Sequence, residues 1–171
     1  MSTPFQVQVT VRNYELDTQG PLNNAAYIQY GDHARWEMLR AAGVTVDRML
    51  TAGLGPVTLE TTIRFHRELR AGDAVTISCV FIWEAGKTFR IEQELRRADD
   101  SVAAEIRSVG GLLDLVQRRL LPDPRSRWLA LATNPSALGG HDLRGKPQAE
   151  LPLESWRVPY AAAGWSTAMF S

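Results

Sequence analysis

The feature that most constrains the fold of this chain is a run of four strand-like segments between residues 56 and 116. Each is rich in β-branched residues or alternates apolar and polar side chains, as strands do. The segments read PVTLETTIRFHREL, AVTISCVFIWE, TFRIEQELRRA and VAAEIRSVGGLLDLV, and the turns RAGD, EAGK and ADDS separate them. The four segments together predict a run of antiparallel strands. The Gly110-Gly111 pair inside the last segment indicates a bulge or a close approach of backbone.

One long amphipathic segment precedes these strands. Residues from about 24 to 42 place apolar side chains three and four residues apart, which predicts a helix with one buried face. That face consists of Tyr27, Tyr30, Ala34, Met38 and Ala41. Gly43 follows as a stop signal, and residues 44–52 predict a further short helical turn. An alternating stretch from Phe5 to Tyr14 predicts a first strand, so the whole is an α+β pattern with the helix packed on one face of the sheet.

Composition limits the classes of function. The chain has 171 residues, which is enough for one domain with a core. Because its formal net charge is zero, we expect neither a nucleic-acid nor a membrane partner. Cys79 is the only cysteine, which excludes an internal disulfide and a thiolate metal cluster, and its apolar neighbours predict that it is buried. The N-terminal segment has no basic region followed by an apolar run. We therefore expect no signal peptide and a cytoplasmic location.

The composition changes after Leu121. Six of the nine prolines lie between Pro122 and Pro159, and three of the five tryptophans, Trp128, Trp156 and Trp165, lie in the same tail. We therefore predict a domain over residues 1–122 and an extension over residues 123–171 that packs on this domain or on a neighbouring subunit. Within the extension, RSRWLALA predicts a short helix, and the remainder has no periodic core signal and is expected to be loosely structured.

Between the first strand and the long helix lies the segment ELDTQGPLNNAAY, residues 15–27. Glu15 and Asp17 are two residues apart, so they share one face if the first strand continues that far. Asn23 can cap the helix, which leaves the backbone N–H of Asn24 unpaired at the positive end of the helix dipole. A carboxylate beside such a donor could attack a thioester carbonyl or deprotonate a water. Capping or turn stabilisation explains the same residues, and the physics alone leaves both interpretations open.

The order of residues in this segment resembles a known family. The pattern acidic-x-Asp-x-x-Gly-x-hydrophobic-Asn-Asn-x-x-Tyr, followed by Ala34-Arg35 in the helix, is similar to the 4-hydroxybenzoyl-CoA thioesterase branch of the hot-dog fold. Downstream, IRFHRELRAGDAV resembles that branch's strand with a basic bend and a Gly-Asp turn. The resemblance covers about residues 5 to 122. It implies an α+β hot-dog fold, in which a curved antiparallel sheet wraps a long central helix.

The resemblance also implies a chemistry. Asp17 matches the family's catalytic carboxylate, which acts as a nucleophile or as a general base on water, and the backbone N–H of Asn24 matches the group that polarises the thioester carbonyl. The expected activity is acyl-CoA hydrolysis without a metal or other cofactor. Active sites of this family form at a dimer interface, and dimers often pair, so we expect a homodimer or homotetramer.

Four further residues are candidates for substrate binding. Lys87 and Arg90 flank the turn EAGKTFR, where the resemblance places contacts to the CoA nucleotide. Thr88, in the same turn, either hydrogen-bonds the pantetheine arm or shapes the turn. Tyr27, the last residue of the motif, completes this set.

The sequence also departs from the resembled pattern. The branch found in the Tol-Pal gene cluster has a histidine where this chain has Asn24 and a tyrosine where it has Asn13, and many relatives have histidine in place of Pro21. A mechanism assisted by histidine is therefore not expected here. Two other functions remain open: a thioesterase for acyl carrier proteins of a polyketide or fatty-acid pathway, and a non-catalytic protein that binds an acyl ligand.

Overall fold

The structure is a computed structural model that describes residues 4–142 of the chain. Its strands are β1 (Phe5–Thr10), β2 (Leu54–Phe65), β3 (Ala74–Trp83), β4 (Thr88–Arg97), β5 (Val102–Asp114), β6 (Arg119–Leu120) and β7 (Gly140–Asp142). Its helices are α1 (Asn24–Ala41), α2 (Val46–Thr51) and α3 (Pro124–Leu131), and short 3₁₀ turns cover Asn13–Glu15 and Pro135–Leu138. The four predicted strands after the helix, the long helix itself and the two shorter helices are thus confirmed.

The strands form one sheet in the order β1-β3-β4-β5-β2, in which all neighbours are antiparallel. The short strand β6 pairs with β5, and β7 pairs parallel with β3 beyond the end of β1. Helix α1 packs on one face of this sheet, with contacts to β1 and β3. The expected hot-dog fold, a curved antiparallel sheet around a long helix, is confirmed.

Both ends of α1 follow from local sequence. At the start, the side chain of Asn23 accepts a hydrogen bond from the backbone N–H of Ala26 at 2.9 Å, which is the predicted cap. At the end, Gly43 has φ +74°, a conformation that glycine adopts without strain. The N–H groups of Gly43 and Val44 then reach back to the carbonyls of Arg40 and Leu39, so the last carbonyls of the helix are paired.

The core lies between α1 and the sheet. Four of the five residues predicted for the buried face of α1, all except Ala41, are buried. Strand β4 alternates as predicted, so that Phe89, Ile91 and Leu95 point into the core. Cys79 is buried as expected, and burial raises the pKa of its thiol to about 12. A thiol in that state is a packing group rather than a nucleophile.

The first strand is shorter than predicted, and this changes the relation between Glu15 and Asp17. Strand β1 ends at Thr10, and the chain then makes a 3₁₀ turn over Asn13–Glu15. The turn closes because the Glu15 carboxylate accepts a hydrogen bond from the backbone N–H of Arg12 at 2.8 Å. Glu15 is consequently buried while Asp17 is exposed. The condition under which they would share one strand face, that the first strand continues as far as Asp17, is not met.

The part of the tail that the structure describes is more ordered than predicted. Helix α3 docks through Trp128, which is only 1% exposed, and the backbone N–H of Asp123 bonds to the carbonyl of Gly86. The expectation of loose structure is wrong for residues 135–142, which contain a 3₁₀ turn and β7. Trp156 and Trp165 lie outside the described residues, and the division at residue 122 stays a prediction.

Candidate active site

The loop that carries Asp17 is a closed hairpin leading into α1. Its two sides meet in an antiparallel bridge between Leu16 and Leu22. Inside the bridge, the backbone N–H of Asp17 donates to the carbonyl of Pro21 at 2.8 Å. Gly20 permits the tight return because it has φ +102°, which side-chain-bearing residues rarely adopt. The backbone at Asp17 is therefore fixed relative to the first turn of the helix.

The carboxylate of Asp17 is oriented by its own loop. Its Oδ1 atom accepts hydrogen bonds from the backbone N–H groups of Gln19 at 2.7 Å and Gly20 at 3.0 Å. Within residues 4–142, Oδ2 has no hydrogen-bond partner, and the side chain is exposed. One oxygen is thus held in place while the other is free to contact a ligand.

The start of α1 supplies hydrogen-bond donors a few residues away. The cap by Asn23 uses the N–H of Ala26, whereas the N–H groups of Asn24 and Ala25 have no acceptor in the part of the chain that the structure describes. Unpaired N–H groups at a helix start carry the positive end of the helix dipole and bind anions. A developing oxyanion is the kind of group that this position stabilises.

Glu15 ties the same loop to the body of the protein. Besides the bond from the Arg12 backbone, its carboxylate accepts from the Tyr30 hydroxyl at 2.5 Å and from the Arg12 guanidinium at 3.2 Å. Its own carbonyl accepts from the N–H of Asn23 at 2.9 Å. Burial raises the pKa of the Glu15 carboxyl, but the hydrogen bonds from Tyr30 and Arg12 outweigh it, so this pKa lies below its ordinary value. Glu15 is therefore a buried anion that anchors the loop.

Tyr27 lies beneath this loop. Its ring packs edge-on against Phe65, with ring centres 5.0 Å apart and planes at 84°. Burial raises the pKa of the Tyr27 hydroxyl, which hydrogen-bonds with the backbone of Leu69. The carbonyl of Leu69 in turn accepts from the N–H of Leu22 in the hairpin. In one subunit Tyr27 supports the Asp17 loop from below, and a contact with substrate stays a prediction.

The other three predicted binding residues lie at the far end of the sheet. Thr88 is the first residue of β4. The Asp17 loop lies beside the segment that leads into β3, and the start of β3 pairs with the end of β4. Ten residues of strand span roughly 30 Å, so one subunit does not bring the two groups together. Lys87 is exposed, and Arg90 is half-buried in an ion pair with Glu84 at 2.8 Å.

A cavity of about 130 Å³ lies between the second half of α1 and the first residues of β2. Apolar side chains and a glycine form most of its wall: Trp36, Leu39, Pro56, Val57, Phe81, Phe89, Ile91, Gly110 and Trp128. Its polar residues are Arg35, Asp32 and Thr58. Arg35 pairs with Asp32 and donates to the Thr58 hydroxyl at 3.5 Å, and burial lowers the pKa of the Arg35 guanidinium.

Sequence reasoning did not find this cavity. Its residues come from α1, four strands and α3, so no spacing along the chain marks them as a group. Gly110 is one local signal. A Cβ atom there would lie 2.9 Å from the Phe89 ring, so the glycine provides the close approach that the Gly-Gly pair predicted.

The outer edge of β2 carries no strand among the described residues. This edge is twelve residues long, and Leu59 and Phe65 on it are 53% and 49% exposed. Leu59 is the extra residue of a bulge between Thr58 and Glu60. A long edge strand with exposed apolar residues is a site at which another chain can pair.

No helix within residues 4–142 is long and apolar enough to cross a membrane. The same residues contain no group of three or more side chains of the kinds that bind metals, namely His, Cys, Asp and Glu.

The fold and the site together define a hot-dog protein with a carboxylate at a helix start. Residues 11–136 match the family model of the Thioesterase-like superfamily, and the chain belongs to this superfamily. It is 38% identical over 77 residues to acyl-acyl carrier protein thioesterase ATL3 of Arabidopsis thaliana, covering 45% of this chain and 40% of that protein. It is 30% identical over 74 residues to the long-chain acyl-CoA thioesterase FadM of Escherichia coli, covering 43% and 55%.

A solved structure, the oleoyl thioesterase (putative) of Lactobacillus plantarum, matches with a TM-score of 0.74 at 20% identity. The match covers 98% of this chain and 59% of that one. At this identity the likeness shows the fold alone.

Proposed function

We propose that this protein hydrolyses acyl thioesters and that Asp17 supplies the reacting carboxylate. The observation that carries the proposal is the geometry of that side chain, with Oδ1 held by two backbone N–H groups and Oδ2 free at the entrance to α1. The resemblance of this segment to the 4-hydroxybenzoyl-CoA thioesterase branch supports the same role for Asp17. Both sequence relatives described above carry thioesterase names.

Two routes use the same atoms. In the first, Oδ2 attacks the thioester carbon, the C–S bond breaks, the thiolate leaves, and water hydrolyses the resulting mixed anhydride. In the second, the carboxylate takes a proton from a water whose oxygen attacks the carbon, and the thiol leaves with a proton. In both, the N–H of Asn24 donates to the carbonyl oxygen as negative charge develops on it. One such donor contributes about 3 to 4 kcal/mol to a transition state of this kind.

We further propose that two copies pair along β2. A two-fold axis perpendicular to the sheet would make the two β2 strands antiparallel neighbours and keep both α1 helices on one face. Pairing would satisfy the unpaired edge of β2 and cover Leu59 and Phe65.

The proposed substrate is an acyl-CoA. Lys87 is an exposed cation, and Arg90 is a half-buried cation paired with Glu84. Both suit a nucleotide phosphate. The similarity to ATL3 favours an acyl carrier protein as the second candidate. Rates measured on matched CoA and carrier-protein thioesters of one acyl group distinguish the two.

The test of the mechanism is Asp17→Asn. Asparagine keeps an oxygen for the N–H groups of Gln19 and Gly20, so the loop keeps its shape while the anion is lost. We expect kcat on acyl-CoA to fall by about 10²–10⁴-fold with an unchanged circular dichroism spectrum. Asp47→Asn, an exposed aspartate in the first turn of α2, is the matched control and should retain full activity. Wild-type activity in Asp17→Asn would remove this residue from the mechanism.

A further inference from the structure

The proposed reaction needs two groups that different elements carry. The Asp17 carboxylate lies in the hairpin closed by Leu16 and Leu22, and the N–H of Asn24 lies in the first turn of α1. The separation of these two groups depends on how the hairpin is held against the helix. A misplacement of about 1 Å between reacting groups can slow a reaction by about 100-fold. The contacts that join the hairpin to the helix therefore bear on the rate.

Tyr30 of α1 makes one such contact. It lies six residues after Asn24, which is about 9 Å along the helix axis. Its hydroxyl donates to the carboxylate of Glu15 at 2.5 Å, and the two residues are only 4% and 8% exposed. The backbone carbonyl of Glu15 accepts from the N–H of Asn23, the cap of the same helix, at 2.9 Å. Glu15, at the entrance to the hairpin, is thus bonded to α1 at two points.

A second buried contact holds this part of α1 on the sheet. The side-chain amide of Gln93 in β4 donates to the carbonyl of Gly31 at 2.9 Å, and Gln93 is 2% exposed. A Cβ atom at position 31 would lie 3.0 Å from Oε1 of Gln93 and 3.0 Å from Cδ1 of Ile106, so the glycine permits this close approach of helix and sheet. Because Gly31 follows Tyr30, Gln93 fixes the helix at the level at which Tyr30 meets the hairpin.

We propose that Tyr30 and Gln93 are positioning residues for the reaction. Acting through Glu15 and α1, they set the separation between the Asp17 carboxylate and the N–H of Asn24. The inference rests on the proposed function. Hydrogen bonds to a charged group are shorter and stronger than those between neutral groups, so the bond from Tyr30 to the Glu15 anion suits a fixed spacing.

The alternative is that the hairpin needs no such chain of contacts. Leu16 and Leu22 bridge it, and the N–H of Leu22 donates to the carbonyl of Leu69 at 2.7 Å. If these bonds suffice, removal of the Tyr30 hydroxyl lowers only the stability, and the folded protein keeps its rate. The two interpretations therefore differ in the kcat of the folded protein.

The test measures kcat and KM for an acyl-CoA in Tyr30→Phe and in Gln93→Met. Phenylalanine keeps the ring and methionine keeps the length of the side chain, so each variant removes one hydrogen bond and little volume. We expect kcat of the folded variants to fall by about 10- to 100-fold. KM should stay within about twofold, because Asp17 and the N–H of Asn24 act on the transition state. Gln93→Met keeps the test valid if Tyr30→Phe does not fold. Wild-type kcat in a folded variant overturns the role of the residue that it replaces.

Two controls separate positioning from stability. Tyr14→Phe removes a hydroxyl from an exposed tyrosine and should keep the wild-type kcat. Leu138→Ala truncates a buried side chain in the 3₁₀ turn that packs on α1, and so destabilises the core. The chain just before this turn bonds to the carbonyl of Ala42, at the opposite end of the helix from Asn24. Folded Leu138→Ala should also keep the wild-type kcat, and a loss as large as that in Tyr30→Phe would overturn the inference.

Amide hydrogen exchange separates this inference from the proposed function. The N–H of Asn23, which donates to Glu15, and the N–H of Asp17, which donates within the hairpin, report on the hairpin without any substrate. Both should exchange at least about tenfold faster in Tyr30→Phe than in Leu138→Ala. Equal exchange in the two variants refutes the inference. Absence of thioester turnover by the wild type refutes the proposed function, and the exchange rates still decide whether this chain of contacts fixes the hairpin.

Discussion

The buried anion Glu15 gives the sharpest prediction about stability. Its carboxylate accepts a buried hydrogen bond from the hydroxyl of Tyr30 at 2.5 Å and a partly buried one from the backbone of Arg12 at 2.8 Å. The third comes from the guanidinium of Arg12, which is more than half exposed, so we discount it. Hydrogen bonds to a charged group contribute about 1.5–3 kcal/mol each.

Glutamine at position 15 keeps one acceptor oxygen but removes the charge and turns an NH₂ group toward a donor. We therefore expect Glu15→Gln to lower the free energy of unfolding by about 2–3 kcal/mol. Tyr30→Phe leaves the carboxylate buried with one partner fewer and should cost about 1.5–3 kcal/mol. Tyr14→Phe, at an exposed tyrosine of the same segment, should stay within about 0.5 kcal/mol of the wild type.

The assay is equilibrium unfolding in urea, with the double variant completing the cycle. Because the two side chains touch, their effects should not add, and the coupling should reach about 0.5–3 kcal/mol. A loss below about 0.5 kcal/mol in Glu15→Gln, or strictly additive losses, would refute the role given to this contact.

The same contact predicts a pH dependence. The folded pKa of Glu15 lies below its unfolded value of about 4.3, so its contribution to stability is complete above that value and is lost as pH falls through the folded pKa. Burial and the bond to Glu15 raise the pKa of Tyr30, so its contribution is complete below about pH 10 and is lost as pH rises further. Glu15→Gln should flatten the acid limb of a stability–pH curve. An unchanged acid limb would show that other carboxylates produce it.

Two further predictions concern assembly and substrate binding. Leu59→Asp on the edge of β2 should shift the protein to a monomer in light scattering and abolish turnover. The control is Val116→Asp, at a residue 87% exposed in the turn between β5 and β6, which should do neither. A dimeric, active Leu59→Asp variant would contradict pairing along β2. Arg90→Met should raise KM for an acyl-CoA but not for the same acyl group on N-acetylcysteamine, which lacks the nucleotide. Equal effects on both substrates would show that Arg90 has a structural role and does not bind the nucleotide.

Local signals account for the elements that sequence predicted correctly. The ends of α1 follow from the cap at Asn23 and the positive φ at Gly43, both set by a few neighbouring residues. The strands β2 to β5 follow from alternation and short turns. Their order in the sheet was not predicted, since alternation does not specify which strands pair, and β2 pairs with β5 rather than with β3, which follows it in sequence.

The errors arose where distant or side-chain contacts decide the structure. The first strand stops at Thr10 because Glu15 turns back to Arg12 and Tyr30, a tertiary arrangement that alternation does not encode. Helix α3 was predicted from its sequence, but its docking through Trp128 depends on a cavity wall assembled from other elements. Strand β7 is three residues long and has no pattern of its own.

The two acidic residues of the opening motif show how the fold divides their roles. Glu15 is buried against Tyr30 and is held as an anion by hydrogen bonds, so it has no free oxygen positioned toward solvent. Asp17, two residues later, accepts hydrogen bonds from its own loop with Oδ1, and Oδ2 has no partner within the described residues. The Glu15 carboxylate thus holds the hairpin in place, and the hairpin orients the carboxylate of Asp17. Pairing along β2, as proposed, would place the Asp17 loop of one subunit near the start of the second subunit's β2, and Leu59→Asp tests whether turnover requires that pairing.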